Sequence, residues 1–250
     1  MFWADRTSKL AGIALLVLVP FTVASAILTA IVEEDAFLVS RGDVEGFLVD
    51  VNDNETVYAL GTALDIVNDT VLLVAMAALV FLVFRDRSQV LATLFLVGFL
   101  VAAAAFVTAD AAQFTLLLLA ADFVEEGGAG SIVAGDPTIL QTARAAGAFS
   151  VLSDMAGITS LAFGLLALSA LILTAPQGAV NPPRWLGGLG AVSSVLLALL
   201  WTAFANDDVG FSLSGLGIIG SMVFLLVLGG WLLMSPEPER GIGEARPAAV

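Results

Sequence analysis

Residues 57–84 read VYALGTALDIVNDTVLLVAMAALVFLVF, a run of 28 positions broken only by Asp65, Asn68 and Asp69 among its strongly polar types. A hydrocarbon core about 30 Å thick is spanned by about 20 helical residues. The run is therefore long enough to cross a bilayer. Five further stretches behave in the same way: 10–32, 90–123, 139–174, 185–204 and 211–234. In lipid every backbone donor and acceptor needs a partner within the chain, so each stretch is expected to be helical. The fold class that follows is all-α: a polytopic integral membrane bundle of six transmembrane helices. One membrane domain over residues 1–234 and a disordered tail over 235–250 complete the expected organisation.

Composition agrees. Hydrophobic types make up 59% of the 250 residues and mean hydropathy is +1.02, against roughly 45–50% apolar usage in soluble domains. The chain has no Cys and no His. Disulfides, thiolate metal sites and Fe–S ligation are excluded. So are His-ligated haem, Ser–His catalysis and HExxH zinc sites. The single Lys, Lys9, precedes the first span, so no Lys is placed for a retinal Schiff base. A pair of membrane aspartates suggests intramembrane aspartyl proteolysis, but no Gly-x-Gly-Asp motif lies inside a span. No cofactor is expected, and enzymatic activity is not. A net charge of −14 leaves no basic patch for nucleic acid. The acidic, Lys-poor composition resembles that of proteins from salt-accumulating halophilic archaea, the alternative being a moderately acidic bacterial protein.

Lys and Arg near span ends set orientation. Arg6, Lys9, Arg85, Arg87, Arg184, Arg240 and Arg246 fall on one side of a six-span layout; Arg41 and Arg144 fall on the other. Both termini are thus expected in the cytoplasm, and the protein in the cell membrane. The run Ala24-Ser25-Ala26 resembles a signal-peptidase site, but the apolar run continues to Val32, which reads as an uncleaved span. In the first outer loop Val44, Phe47, Leu48 and Val51 have helical spacing and predict a short surface helix. Asn54-Glu55-Thr56 is a glycosylation acceptor there, making Asn54 a candidate. A second acceptor at Asn68 lies inside a span and is expected to stay bare. Pro20 is expected to kink the first span, and Trp3, Trp185, Trp201 and Trp231 to act mostly as interfacial anchors.

Four acids lie within the apolar runs: Asp65, Asp69, Asp110 and Asp154. A charge at mid-membrane costs upward of about 2.5 kcal/mol, so each is a functional suspect. At 1.5 Å per residue Asp65 stands about 28 Å from the cytoplasmic end of its span, and Asp110 and Asp154 about 30 Å from theirs. Three helices thus place a carboxylate in one layer near the outer boundary, with Asp69 one turn deeper. Tyr58, Thr62, Asp65 and Asp69 form one stripe, with Asn68 beside it. Asp110 shares a face with Gln113. Ser150, Ser153, Asp154, Gly157 and Gly164 form a polar and small-residue stripe that permits close helix approach.

Spans two, three and four are therefore expected to converge on an outward polar cleft holding Tyr58, Asp65, Asn68, Asp69, Asp110, Gln113, Ser153 and Asp154. Two readings stay open. The carboxylates bind a cation or small ligand, or they are hydrogen-bonded to neighbouring polar groups and fix helix register. Gln141 and Arg144 stand on the outer extension of span four, as a substrate anchor or as a surface salt bridge with Asp122, Glu125 or Glu126. Membrane lipids are expected partners. A membrane-protein partner or second copy, docking on the glycine-rich fifth and sixth spans, is the alternative to a ligand.

Arg6-x2-Lys9-Leu10-Ala11-Gly12 entering span one, the long outer loop, Ala63-Leu64-Asp65 in span two and the short basic turn after Phe84 together resemble an uncharacterised family of six-span prokaryotic membrane proteins. That resemblance implies a six-helix fold over nearly the whole chain. It implies no activity and transfers no catalytic residue.

Overall fold

A computed structural model describes residues 2–30, 43–125, 137–175, 181–204 and 207–234. Among these residues all regular structure is helical, with no strand. The first span is α1 (Phe2–Ala30). A short helix follows, α2 (Val44–Asp53). The second span comprises α3 (Glu55–Val67), a π-helical turn over Asn68–Leu72, and α4 (Leu73–Phe84). The third is α5 (Gln89–Glu125) and the fourth α6 (Pro137–Thr174). The fifth is α7 (Arg184–Ala198), which tightens into a 3-10 turn at Leu199–Phe204. The sixth is α8 (Asp207–Met234). Six of these segments are long and apolar enough to cross a membrane. The expected tail 235–250 and most of the second outer loop lie outside the described residues.

Each span packs on its neighbours in sequence, and α8 returns to pack on α1, which closes the six spans into a ring. Gly12 and Gly229 face each other where the ring closes. A Cβ at Gly12 would stand 2.8 Å from the Gly229 carbonyl, and one at Gly229 would stand 3.0 Å from the Gly12 carbonyl. Gly12 is near the start of α1 and Gly229 near the end of α8, so the chain enters and leaves the bundle at the same end. Pro20 sits inside α1 without ending it, although it has no N–H to give the Leu16 carbonyl.

Two apolar clusters hold the bundle. The larger fills the half nearer the termini, around Leu15, Met76, Phe95, Leu168 and Phe224, all buried. The smaller lies at the opposite end. There α2 lays Val44, Phe47, Leu48 and Val51 against Tyr58, Leu116, Phe123 and Ala143. These are the four residues whose spacing predicts the helix. Its start is set by the Asp43 carboxylate, which accepts from the Gly46 N–H at 3.0 Å, the usual way to satisfy a first-turn donor. At 37 and 38 residues, α5 and α6 run to about 55 Å each. The extra length beyond the bilayer carries this second cluster.

The most extensive helix contact is between α5 and α6. A Cβ at Gly98 would meet the Gly164 Cα and N at 2.8 Å. Seven residues before Gly164, a Cβ at Gly157 would meet the Phe106 ring at 2.5 Å, while one at Gly164 would meet the Phe99 ring at 2.7 Å. The rings of Phe99 and Phe106 thus lie against bare backbone. Without a hydrophobic drive between helices in lipid, such close packing is the main source of association.

Gly98→Ala is expected to lower stability by about 1–3 kcal/mol through overpacking, because backbone rather than a movable side chain stands in the way. Gly215→Ala, with nothing within 4 Å of its Cβ position, is expected to be neutral or slightly stabilising. Unfolding in graded SDS–detergent mixtures compares the two.

Candidate functional site

Most hydroxyls in the spans are already satisfied. Thr62, Thr108, Thr115, Ser169 and Ser194 each donate to the carbonyl four residues earlier, at 2.6–3.0 Å. That is the ordinary way to place a hydroxyl in a helix surrounded by lipid. Such groups call for no ligand. The carboxylates and amides near the bundle axis are different.

A cavity of about 300 Å³ lies on that axis, with walls from all six spans. Its polar wall is Asp65, Asn68, Asp69, Asp110, Gln113 and Asp154. Six of the eight residues expected at the cleft therefore meet at one place. The other two stand elsewhere. Tyr58 is buried in the apolar cluster beneath α2, on the same face of the second span as Asp65 but about 10 Å higher. Ser153, next to Asp154 in sequence, points about 100° away from it around the helix and does not line the cavity.

Three features of the site are absent from the sequence reading. First, α1 contributes Thr22 and Ser25. The Thr22 hydroxyl is within hydrogen-bonding distance of the Leu18 carbonyl, at 3.0 Å, and of Asn68 Oδ1, at 3.2 Å. The Asn68 amide in turn donates to Asp69 Oδ1 at 2.9 Å. Ser25 lies within reach of the Thr22 carbonyl, at 3.1 Å, and hydrogen-bonds Asp65. A chain of polar contacts thus ties the first span to the second. The signal was present in Thr22 and Ser25, three residues apart beside Pro20. Second, the π turn over Asn68–Leu72 turns both Asn68 and Asp69 inward, where both are buried. Such turns recur at functional sites; its sequence mark is the polar triplet Asn68-Asp69-Thr70. Third, α8 adds Ser221 and Met222 to the wall.

Asp110 is 4% exposed, and its Oδ2 has no hydrogen-bond partner. Gln113 Oε1, one turn along α5, is likewise buried without a partner. Asp110 lies within electrostatic reach of Asp65, Asp69 and Asp154. Among the described residues no Lys or Arg lines the cavity. A buried acceptor without a donor costs about 1–3 kcal/mol, so this wall is an acceptor-rich surface lacking its complement. Yet among the described residues no three carboxylates are arranged to hold one metal ion.

Gln141 and Arg144 are exposed on α6, with Arg144 about 15 Å along the helix from Asp154. Neither lines the cavity. Among the described residues Arg144 forms no ion pair with Asp122 or Glu125; Glu126 lies outside them. Asn54 joins α2 to α3, and its side-chain amide donates to the Asp50 carbonyl at 3.0 Å. Trp201, near the end of the fifth span, donates from Nε1 to Thr159 Oγ1 at 2.6 Å.

The helices and their membrane-length apolar faces define a multi-pass membrane protein. The chain belongs to the family described as Domain of unknown function (DUF4386), whose family model matches residues 10–235. No curated protein and no solved structure matches the chain.

Asn68→Ala is expected to cost about 1–2 kcal/mol, since it takes the donor from Asp69 and cuts the link to Thr22. Asp110→Asn is expected to leave stability unchanged or raised, because the lost oxygen has no partner to lose. Equilibrium unfolding of the two variants in detergent separates a binding position from a structural one.

Proposed function

We propose that this chain is a non-enzymatic protein of the cell membrane, with both termini in the cytoplasm, that takes a small cationic or hydrogen-donating ligand into the axial cavity from the outer side. The observation that carries the reading is the unpartnered Asp110 Oδ2, buried on a wall of four carboxylates with no basic residue among the described residues. A site that served only to fix helix register gains nothing from leaving such an oxygen unsatisfied. The packed apolar cluster between the cavity and the termini supports entry from the end capped by α2. The basic residues flanking the terminal end of the bundle support its cytoplasmic placement. Transport and sensing both fit a cavity of this kind, and π turns such as the one at its wall recur at functional sites.

The assembly alternative is the weaker one. Most glycines of the fifth and sixth spans are occupied within the chain: Gly187 against Ile172 and Leu173, Gly217 against the α7 backbone and Gly229 against α1. The halophilic reading rests on composition. At net charge −14, self-repulsion is relieved by screening, so the unfolding midpoint of the purified protein is expected to rise with molar KCl.

Because the native chain has no Cys, single cysteines give clean labelling. Ser221→Cys and Ala26→Cys are expected to react with a membrane-impermeant thiol reagent added to intact cells. Asp86→Cys, in the turn between α4 and α5, is expected to react only after permeabilisation. Labelling of Asp86→Cys in intact cells, or silence of both cavity positions, overturns the reading.

A further inference from the structure

We infer that the ligand is a primary amine with an apolar body, an amphiphilic ammonium ion of arylalkylamine size rather than a metal ion. This rests on the cavity being a ligand site and adds the chemistry of what it takes.

The acceptors come first. Asp110 Oδ2 and Gln113 Oε1 are buried, unpartnered and one turn apart on α5. What both lack is a donor. Asp65 and Asp154 line the same cavity from α3 and α6, so acceptors approach from three helices. An ammonium head brings three N–H donors and no acceptor, and its bonds to carboxylates are charge-assisted. It fits the two unpartnered oxygens and the carboxylates that share their wall.

The rest of the wall rules on the body. Phe99, Phe106, Ile158, Leu161, Met222 and Leu225 face the same space. A hydrated metal ion gains nothing from that surface, and a dehydrated one needs a cage of oxygens that these carboxylates do not form. An apolar body, by contrast, is driven there by loss of its hydration. The two phenyl rings are held against the bare backbone of Gly157 and Gly164, which fixes their faces for an aromatic body or for the cation itself. At about 300 Å³ the cavity is at the lower bound of small-molecule sites, roughly 300–1,000 Å³. That admits an arylalkylamine and excludes a peptide or a whole lipid.

The test uses the full chain in lipid nanodiscs with 2-phenylethylammonium chloride as the probe. Calorimetric titration is expected to give saturable binding, weakened at least tenfold by Asp110→Asn and unchanged by Asp86→Asn in the exposed turn. The uncharged analogue 2-phenylethanol is expected to bind at least tenfold more weakly. In an otherwise native background, the amine is expected to protect Ser221→Cys from the thiol reagent, a readout that does not depend on the Asp110 variant folding. No saturable binding, equal affinity for the alcohol, or indifference to Asp110→Asn overturns the inference. Protection by MgCl2 or CaCl2 but not by the amine overturns it while leaving the broader ligand reading in place. Failure of every probe together with an unreactive Ser221→Cys overturns both.

Discussion

A polar group inside a hydrocarbon slab must find its partner within the protein, because no water is there to supply one. That constraint shapes this molecule at every scale. It makes every span helical, and it sends hydroxyl after hydroxyl back to the carbonyl of the preceding turn. It also explains why the longest-range polar contacts converge on one level of the bundle, where Thr22, Asn68 and Asp69 are linked and Ser25 meets Asp65. Among the described residues, the buried oxygens Asp110 Oδ2 and Gln113 Oε1 depart from that pattern, with no hydrogen-bond partner.

The position of the cavity follows from packing on either side of it. Toward the termini the ring is drawn tight by glycine contacts, Gly98 on Gly164 and Gly12 on Gly229, and filled by Phe and Leu. At the far end α2 presses four apolar residues onto the extensions of α5 and α6. Between these two packed regions lies the cavity lined by Asp65, Asp69, Asp110 and Asp154.

Much of this was legible in the amino-acid order. Hydropathy locates six spans to within a few residues of the helices at most ends, the main exception being the first, whose helix begins at Phe2. Counting from span ends places Asp65, Asp110 and Asp154 in one layer, and all three line one cavity. The spacing of Val44, Phe47, Leu48 and Val51 marks α2. Other parts were hidden for physical reasons. Span one looks uniformly apolar, and a Thr and a Ser in such a run ordinarily bond their own backbone, so the reach of Thr22 to Asn68 is visible only when the ring is closed. Tyr58 shares a helical face with Asp65, but a face says nothing of height, and at its height the neighbours are Leu116 and Phe123. Ser153 was grouped with Asp154 by adjacency, which on a helix means a different direction. The π turn escaped because periodicity arguments assume an unbroken 3.6-residue repeat.

That turn also sets how the second span faces its neighbours. Five-residue spacing between bonded groups accommodates an extra position without lengthening the helix proportionately, so the segment from Glu55 to Val67 is out of phase with the segment from Leu73 to Phe84. A chain one residue shorter between Asp65 and Leu73 would keep both apolar clusters yet rotate the segment from Glu55 to Val67 by about 100°. The chamber's lining is thereby tied to a length, so that insertions and deletions here, more than substitutions, would decide which side chains meet at the axis.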